Sequence, residues 1–415
     1  MEAQVLSALG AVTSGASPVD ALDVLHQLVT DDPMALAVLV GAGGLTTMVQ
    51  NHEQRVEAVA TIIVCASEEY AHEVVRADAL PLLLQLTSVA QHEEDATWAL
   101  GNLSAHADIT EAMLSLGTLA TCIRTVTSSQ CALSRCFAAS TLANLVVDER
   151  GKREAGEMGG VEAMLDVLPY CEVDAAAQVT RCLANLLLDG GNRLRVVAHA
   201  QGLHLLLQQL ALPDEALQES AARALANIAF DAEHAKAVCA TGGVGSVVEL
   251  LQSNSSRVHM QALCALRNLT ADALAAQSAV QGGAIAPLVQ LLSSDAAAVQ
   301  AQTAWVIGSL SSTLQDSVNM QLVQAGVLPK LKALKYSSSA ECRQAATHAM
   351  GNLAQVLTPN SRRVIEQGTV QLDRTGRPAG RRSSSRPSPL GDANNARSVW
   401  RSPLGGAEVS DGSAQ

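Results

Sequence analysis

One short phrase returns down the chain at an almost constant interval: Leu100-Gly-Asn-Leu103, Leu142-Ala-Asn-Leu145, Leu183-Ala-Asn-Leu186, Leu225-Ala-Asn-Ile228, Leu266-Arg-Asn-Leu269 and Met350-Gly-Asn-Leu353. Counted at the Asn, or at Ser309 in the variant Ile307-Gly-Ser-Leu310, the spacings are 42, 41, 42, 41, 41 and 43 residues. So constant a period excludes a single irregular globule. It requires stacked supersecondary units, each burying its apolar face on the next. Carried backwards with shorter spacings, the register reaches Ile63 and then Leu28. The array therefore starts near residue 20 with an atypical half-unit, as terminal units do.

The layout inside each period recurs too. About fifteen residues after the marker stands a glycine or a glycine pair: Gly43, Gly117, Gly159-Gly160, Gly202, Gly242-Gly243, Gly282-Gly283, Gly326 and Gly368. A glycine there lets a short first helix end in the left-handed conformation. Pro81, Pro287 and Pro329 then open apolar segments such as Leu82-Leu-Leu-Gln-Leu86, because proline suits a first helical turn. A polar break such as Ser253-Asn-Ser-Ser256 precedes a longer helix that carries the marker. The pattern predicts three helices per unit and an all-α fold.

The phrase Gly282-Gly-Ala-Ile-Ala-Pro-Leu-Val-Gln-Leu-Leu-Ser-Ser-Asp295, with the long helices ending Ala-Leu-x-Asn-Leu, resembles the armadillo repeat. The resemblance spans residues 20–368, read as about eight repeats after the N-terminal half-repeat. It implies a right-handed superhelical solenoid whose third helices line a concave, peptide-binding groove. Residues 1–19 form a separate N-terminal segment in this reading. Residues 369–415, rich in Arg, Ser, Pro and Gly, form a disordered tail.

Composition narrows the function. Hydrophobic residues make up 48% of the chain but aromatic ones only 2%, so the core is built from Ala, Leu, Val and Ile. The net charge of -13 is uneven: the tail carries seven Arg against four acidic residues, and everything before it is strongly acidic. An acidic body with few rings to stack on bases argues against nucleic acid as a partner. Nine scattered Cys without a CxxC pair read as reduced thiols of a cytosolic or nuclear protein. No apolar run is long enough for an integral membrane segment, and the opening residues hold no secretion signal.

Asn is a poor helix-interior residue, yet Asn102, Asn144, Asn185, Asn227, Asn268 and Asn352 all fall within the predicted third helices. Either these amides hold the backbone of an extended ligand, or they bridge neighbouring repeats. One turn earlier, on the same face, stand Trp98, Ser140, Arg181, Arg223, Cys264, Trp305 and His348. Similarity to the importin-alpha family implies that Trp98 flanks the stem of a ligand Lys while Asn102 holds its backbone. Trp305 with Ser309 is a diluted copy of that pair. Arg181, Arg223 and Arg267 would favour acidic or phosphorylated ligands if they face the groove, or else they pair with nearby carboxylates. Asp148, Asp189, Asp231 and Asp272, four residues after the markers, read as helix caps.

No catalytic, metal or cofactor motif is legible: the ten His lack HExxH spacing, and no nucleophile sits on a strand-turn-helix elbow. Asn102-Leu-Ser104 and Asn268-Leu-Thr270 match a glycosylation sequon but fall in predicted helices. The sequence thus reads as a non-enzymatic interaction scaffold. An import cargo adaptor and a substrate-binding subunit of a ubiquitin ligase are the alternatives. Tail residues Arg377, Arg381, Arg382 and Arg386 are expected to contact the acidic body in cis, released by phosphorylation at Ser383 or Ser388.

Overall fold

The structure is a computed structural model and describes residues 1–356, apart from the side chains of residues 316, 317, 355 and 356. The expected tail, with Arg377, Arg381, Arg382 and Arg386 and their expected contact with the body, and the array boundary at residue 368 lie outside those residues. Among the described residues there are 26 α-helices and no strand.

Two helices, Glu2–Ser14 and Pro18–Asp31, precede eight three-helix repeats. Repeat 1 comprises Pro33–Gly41, Gly44–Gln50 and Val56–Glu69, and repeat 5 comprises Gly190–Ala198, Gly202–Leu210 and Glu215–Ile228. The chain divides into two compact units after Met158, in the turn that follows the first helix of repeat 4. In the first unit the helices Pro18–Asp31, Val56–Glu69, Glu93–Ser104 and Ala132–Leu145 pack in succession. In the second the succession is Val173–Leu186, Glu215–Ile228, Ser256–Leu269, Ala297–Leu314 and Ala340–Val356. The segment before residue 20 is packed as well: Val5 and Val12 are buried, and Glu2–Ser14 rests on Pro18–Asp31 and on repeat 1.

The marker phrase explains why the third helices stack. Its two apolar residues, three apart, lie on one helix face. From Leu100 and Leu103 to Met350 and Leu353, all fourteen are at most 3% exposed. Each contributes about 2 kcal/mol by burial. Ala139, Ala184, Ala222 and Ala265 fill the space between them and permit close helix approach.

The turns follow the local chemistry. Gly43 and Gly326 leave their first helices at φ 70° and 86°, conformations that a Cβ would strain. Asp78 takes the same role in repeat 2 at φ 58°, a conformation that Asp enters more readily than most residues with a side chain. Gly202 departs from the expectation. Its φ is not positive, and the need for glycine there is steric, since a Cβ would lie 2.3 Å from the Val196 carbonyl oxygen. The thiols are all free, and burial pushes Cys122 up to about 12 and Cys264 to about 11, which makes them inert core groups.

Candidate functional site

Trp98, Arg181, Arg223 and Trp305 are half-buried, one turn before the marker on their third helices. The marker amides split into two sets. Asn102, Asn144 and Asn185 are 2%, 0% and 3% exposed, whereas Asn227, Asn268 and Asn352 are half-buried. The repeated phrase itself does not separate the two sets.

Hydrogen bonding shows what separates them. In the second unit each half-buried amide reaches back one repeat to the carbonyl just before that repeat's marker. Asn227 Nδ2 donates to Ala184 O at 2.9 Å, Asn268 Nδ2 to Ala226 O at 2.8 Å, and Asn352 Nδ2 to Gly308 O at 2.9 Å. Each amide thereby commits one of two N–H groups and has no other partner among the described residues, leaving the second N–H and the oxygen for another molecule. In the first unit a serine is interposed. Asn144 Nδ2 donates to Ser104 Oγ at 3.0 Å, and Ser104 Oγ donates to Gly101 O at 2.7 Å. Asn102 Nδ2 meets Ser67 Oγ at 3.3 Å, and Ser67 Oγ donates to Val64 O at 2.7 Å. The correspondence of Ser67 with Ser104 puts Cys65, not Ile63, at the marker position of repeat 1. Ile63 is instead a fully buried core residue.

The amides therefore do bridge neighbouring repeats, which was one of the two readings, and in the second unit that bridge leaves hydrogen-bonding capacity unspent. Asn185 differs again: its Oδ1 accepts from Arg223 Nη2 at 2.9 Å. That guanidinium also donates to Arg181 O at 3.4 Å, while its buried Nε has no partner. Burial holds Arg223 below the ordinary arginine range, with Glu219 partly opposing the shift. Arg181 Nε donates to Gln178 Oε1 at 2.9 Å, and Arg267 Nη1 to Gln302 Oε1 at 3.0 Å. The bonded partners of Arg223 and Arg267 are thus carbonyl and amide oxygens, not the carboxylates that were the alternative. Trp305 lies against His348 at a ring-centroid distance of 4.9 Å.

Three of the four aspartates read as helix caps do cap a helix. Asp148 accepts from the backbone of Arg150 and Gly151, Asp189 from Asn192, and Asp272 from Leu274 and Ala275. Asp231 stands at a cap position without a capping bond and pairs with Arg193 at 3.4 Å. Both sequon asparagines lie inside helices, and their hydroxyls have structural roles. Ser104 is the relay just described, and Thr270 Oγ1 bonds Leu266 O and Ser309 Oγ.

The armadillo/beta-catenin-like repeat family matches residues 231–271 and 276–312, which are repeats 6 and 7 of the structure. The chain is an armadillo-repeat protein. Its fold is shared by an engineered protein of known crystal structure, 25% identical, which aligns with a TM-score of 0.79 over 88% of this chain and 92% of the other. A designed armadillo repeat protein, 22% identical, aligns with a TM-score of 0.53 over 57% of this chain and 99% of its own. A second design with 22% identity, solved in complex with the peptide (KR)4, aligns with a TM-score of 0.52 over 57% and 99% of the two chains. No curated protein matches the sequence. Among these armadillo repeats, what sequence reasoning missed is the serine relay. Its signal was present as a hydroxyl two residues after Asn102.

Proposed function

We propose that this armadillo-repeat protein is a non-enzymatic scaffold that binds extended segments of other proteins along its third helices, in the cytosol or nucleus. The observation that carries the reading is the half-used amide. Asn227, Asn268 and Asn352 are held in place by the preceding repeat and keep an N–H and an oxygen for a ligand backbone. An extended strand presents alternating N–H and C=O groups that suit such a row. Arg181 and Arg223, one turn earlier in repeats 4 and 5, select for acidic or phosphorylated side chains at that end. The peptide-bound armadillo design supports the general mode of binding, though its own ligand is basic.

Trp98, half-buried beside Asn102 in an acidic helix that opens Glu93-Glu94-Asp95, favours a second reading for the first unit: capture of a Lys- or Arg-containing segment, as an import adaptor would do. Fluorescence anisotropy with labelled acidic, phosphoserine-containing and (Lys-Arg)4 peptides separates the two. Under the main reading an acidic or phosphorylated peptide binds, and Asn227→Ala with Asn268→Ala weakens it by about 1–3 kcal/mol while circular dichroism stays helical. Under the second reading the basic peptide binds and Trp98→Ala abolishes it. If no peptide binds, or if neither substitution alters affinity, the scaffold reading along this face is wrong.

A further inference from the structure

The position four residues after the marker, an aspartate in four other repeats, is His106 in repeat 2. It caps nothing: the next helix, Thr110–Ser115, begins after Ile109 without a side-chain cap. Instead the His106 ring lies 5.4 Å, edge to face, from that of His72, near the start of the helix Ala71–Arg76. His72 Nδ1 is 3.4 Å from Asp108 Oδ2, two residues beyond His106. Three potential ligand atoms, two imidazole nitrogens and a carboxylate oxygen, thus lie within 4.8 Å of one another.

We propose that His72, His106 and Asp108 form a binding site for a divalent transition-metal ion of the zinc class. The donor set is the argument for the class, because imidazoles suit Zn2+, Co2+ or Ni2+ whereas Mg2+ and Ca2+ take oxygen ligands. The fit is close. Ligand bonds of about 2.0–2.2 Å place donor atoms roughly 3.5 Å apart in a tetrahedral site. The three side chains therefore close by about an ångström, and His72 and Asp108 are exposed and free to do so. The backbone beneath is already fixed: His106 N–H donates to Leu103 O at 3.2 Å, and Ile109 N–H donates to His106 O at 3.2 Å. A bound ion would tie the first helix of repeat 2 to the turn that enters repeat 3, and would leave a fourth position open to solvent. The sequence reading found no metal site because His72 stands 34 residues from His106.

The test uses tag-free, reduced full-length protein titrated with ZnCl2 by calorimetry and with CoCl2 by visible absorption. One equivalent is expected to bind, with His106→Ala and Asp108→Asn each weakening affinity roughly tenfold or more. The cobalt spectrum should lack a thiolate charge-transfer band, which distinguishes this site from the nine cysteines. Metal-free melting of the variants should match that of the parent chain. Absence of saturable binding, binding that survives both substitutions, or a thiolate signature would overturn the proposal.

Discussion

The two units solve the same problem, joining one third helix to the next, with different chemistry. In the first, asparagine reaches a serine hydroxyl that passes the bond to a carbonyl, and Asn102 and Asn144 end up sealed in the core. In the second, Asn227 and Asn268, with Leu187 and Ala229 in the place of Ser104, and Asn352, with Ser311 there, reach the carbonyl directly, and these three amides stay half-open. An identical residue at an identical repeat position can thus be sealed in the core in one repeat and half-open in another, while bridging to the preceding repeat in both. The residue two places after the neighbouring marker does not decide this alone, since Asn352 bonds the Gly308 carbonyl directly although Ser311 stands in the place of Ser104.

The comparison can be broken most forcefully by burying a charge in one unit. Leu269 is fully buried, so Leu269→Asp should cost about 4 kcal/mol or more and disrupt the adjoining repeats. Trp305 emission should shift to the red in that variant while Trp98, in the other unit, remains native-like. Equal loss of both signals would show that the units unfold as one body. Ser104→Ala is the next largest test. It removes the acceptor of the buried Asn144 amide and should lower stability by about 1–3 kcal/mol, read by urea denaturation.

Asn227→Ala should cost less, about 1 kcal/mol, because water can reach the half-buried site and alanine is the better helix former. An Asn227→Ala cost equal to that of Ser104→Ala would erase the distinction between the two joints. The smallest effect expected is spectroscopic. Desolvation lowers His348 below the ordinary imidazole value of about 6.5. On acidification below that value the unfolded chain takes up this proton first, so the group's contribution to stability declines as pH falls. Trp305 emission should therefore titrate with a midpoint below about 6.5, and His348→Gln should remove the transition. A midpoint at or above the ordinary value would mean that the ring is fully solvated.

Much of this molecule was readable before any coordinates. The marker leucines are core, the short helices begin at Asp148, Asp189 and Asp272, and eight repeats follow the half-unit. The register failed only in repeat 1, where Ile63 satisfied the apolar pattern equally well and only the Ser67 bond distinguishes Cys65 as the equivalent residue. Of the candidate site, the one-turn relation of Trp98 to Asn102 or Arg223 to Asn227 was legible because it depends on helical geometry alone. The bond from Arg223 to Asn185 was not legible, since nothing in the sequence says which of several oxygens a long side chain will find.

The sequence by itself determined the period, the three-helix unit, the buried apolar rows and the caps, because each depends on contacts within about one helical turn or on a pattern repeated eight times. Only the tertiary structure decided which amides stay open, which arginines bond neutral oxygens and which histidines meet. Those outcomes turn on partners 34 to 44 residues away. At that separation helix packing, not local sequence, sets which atoms each side chain can reach.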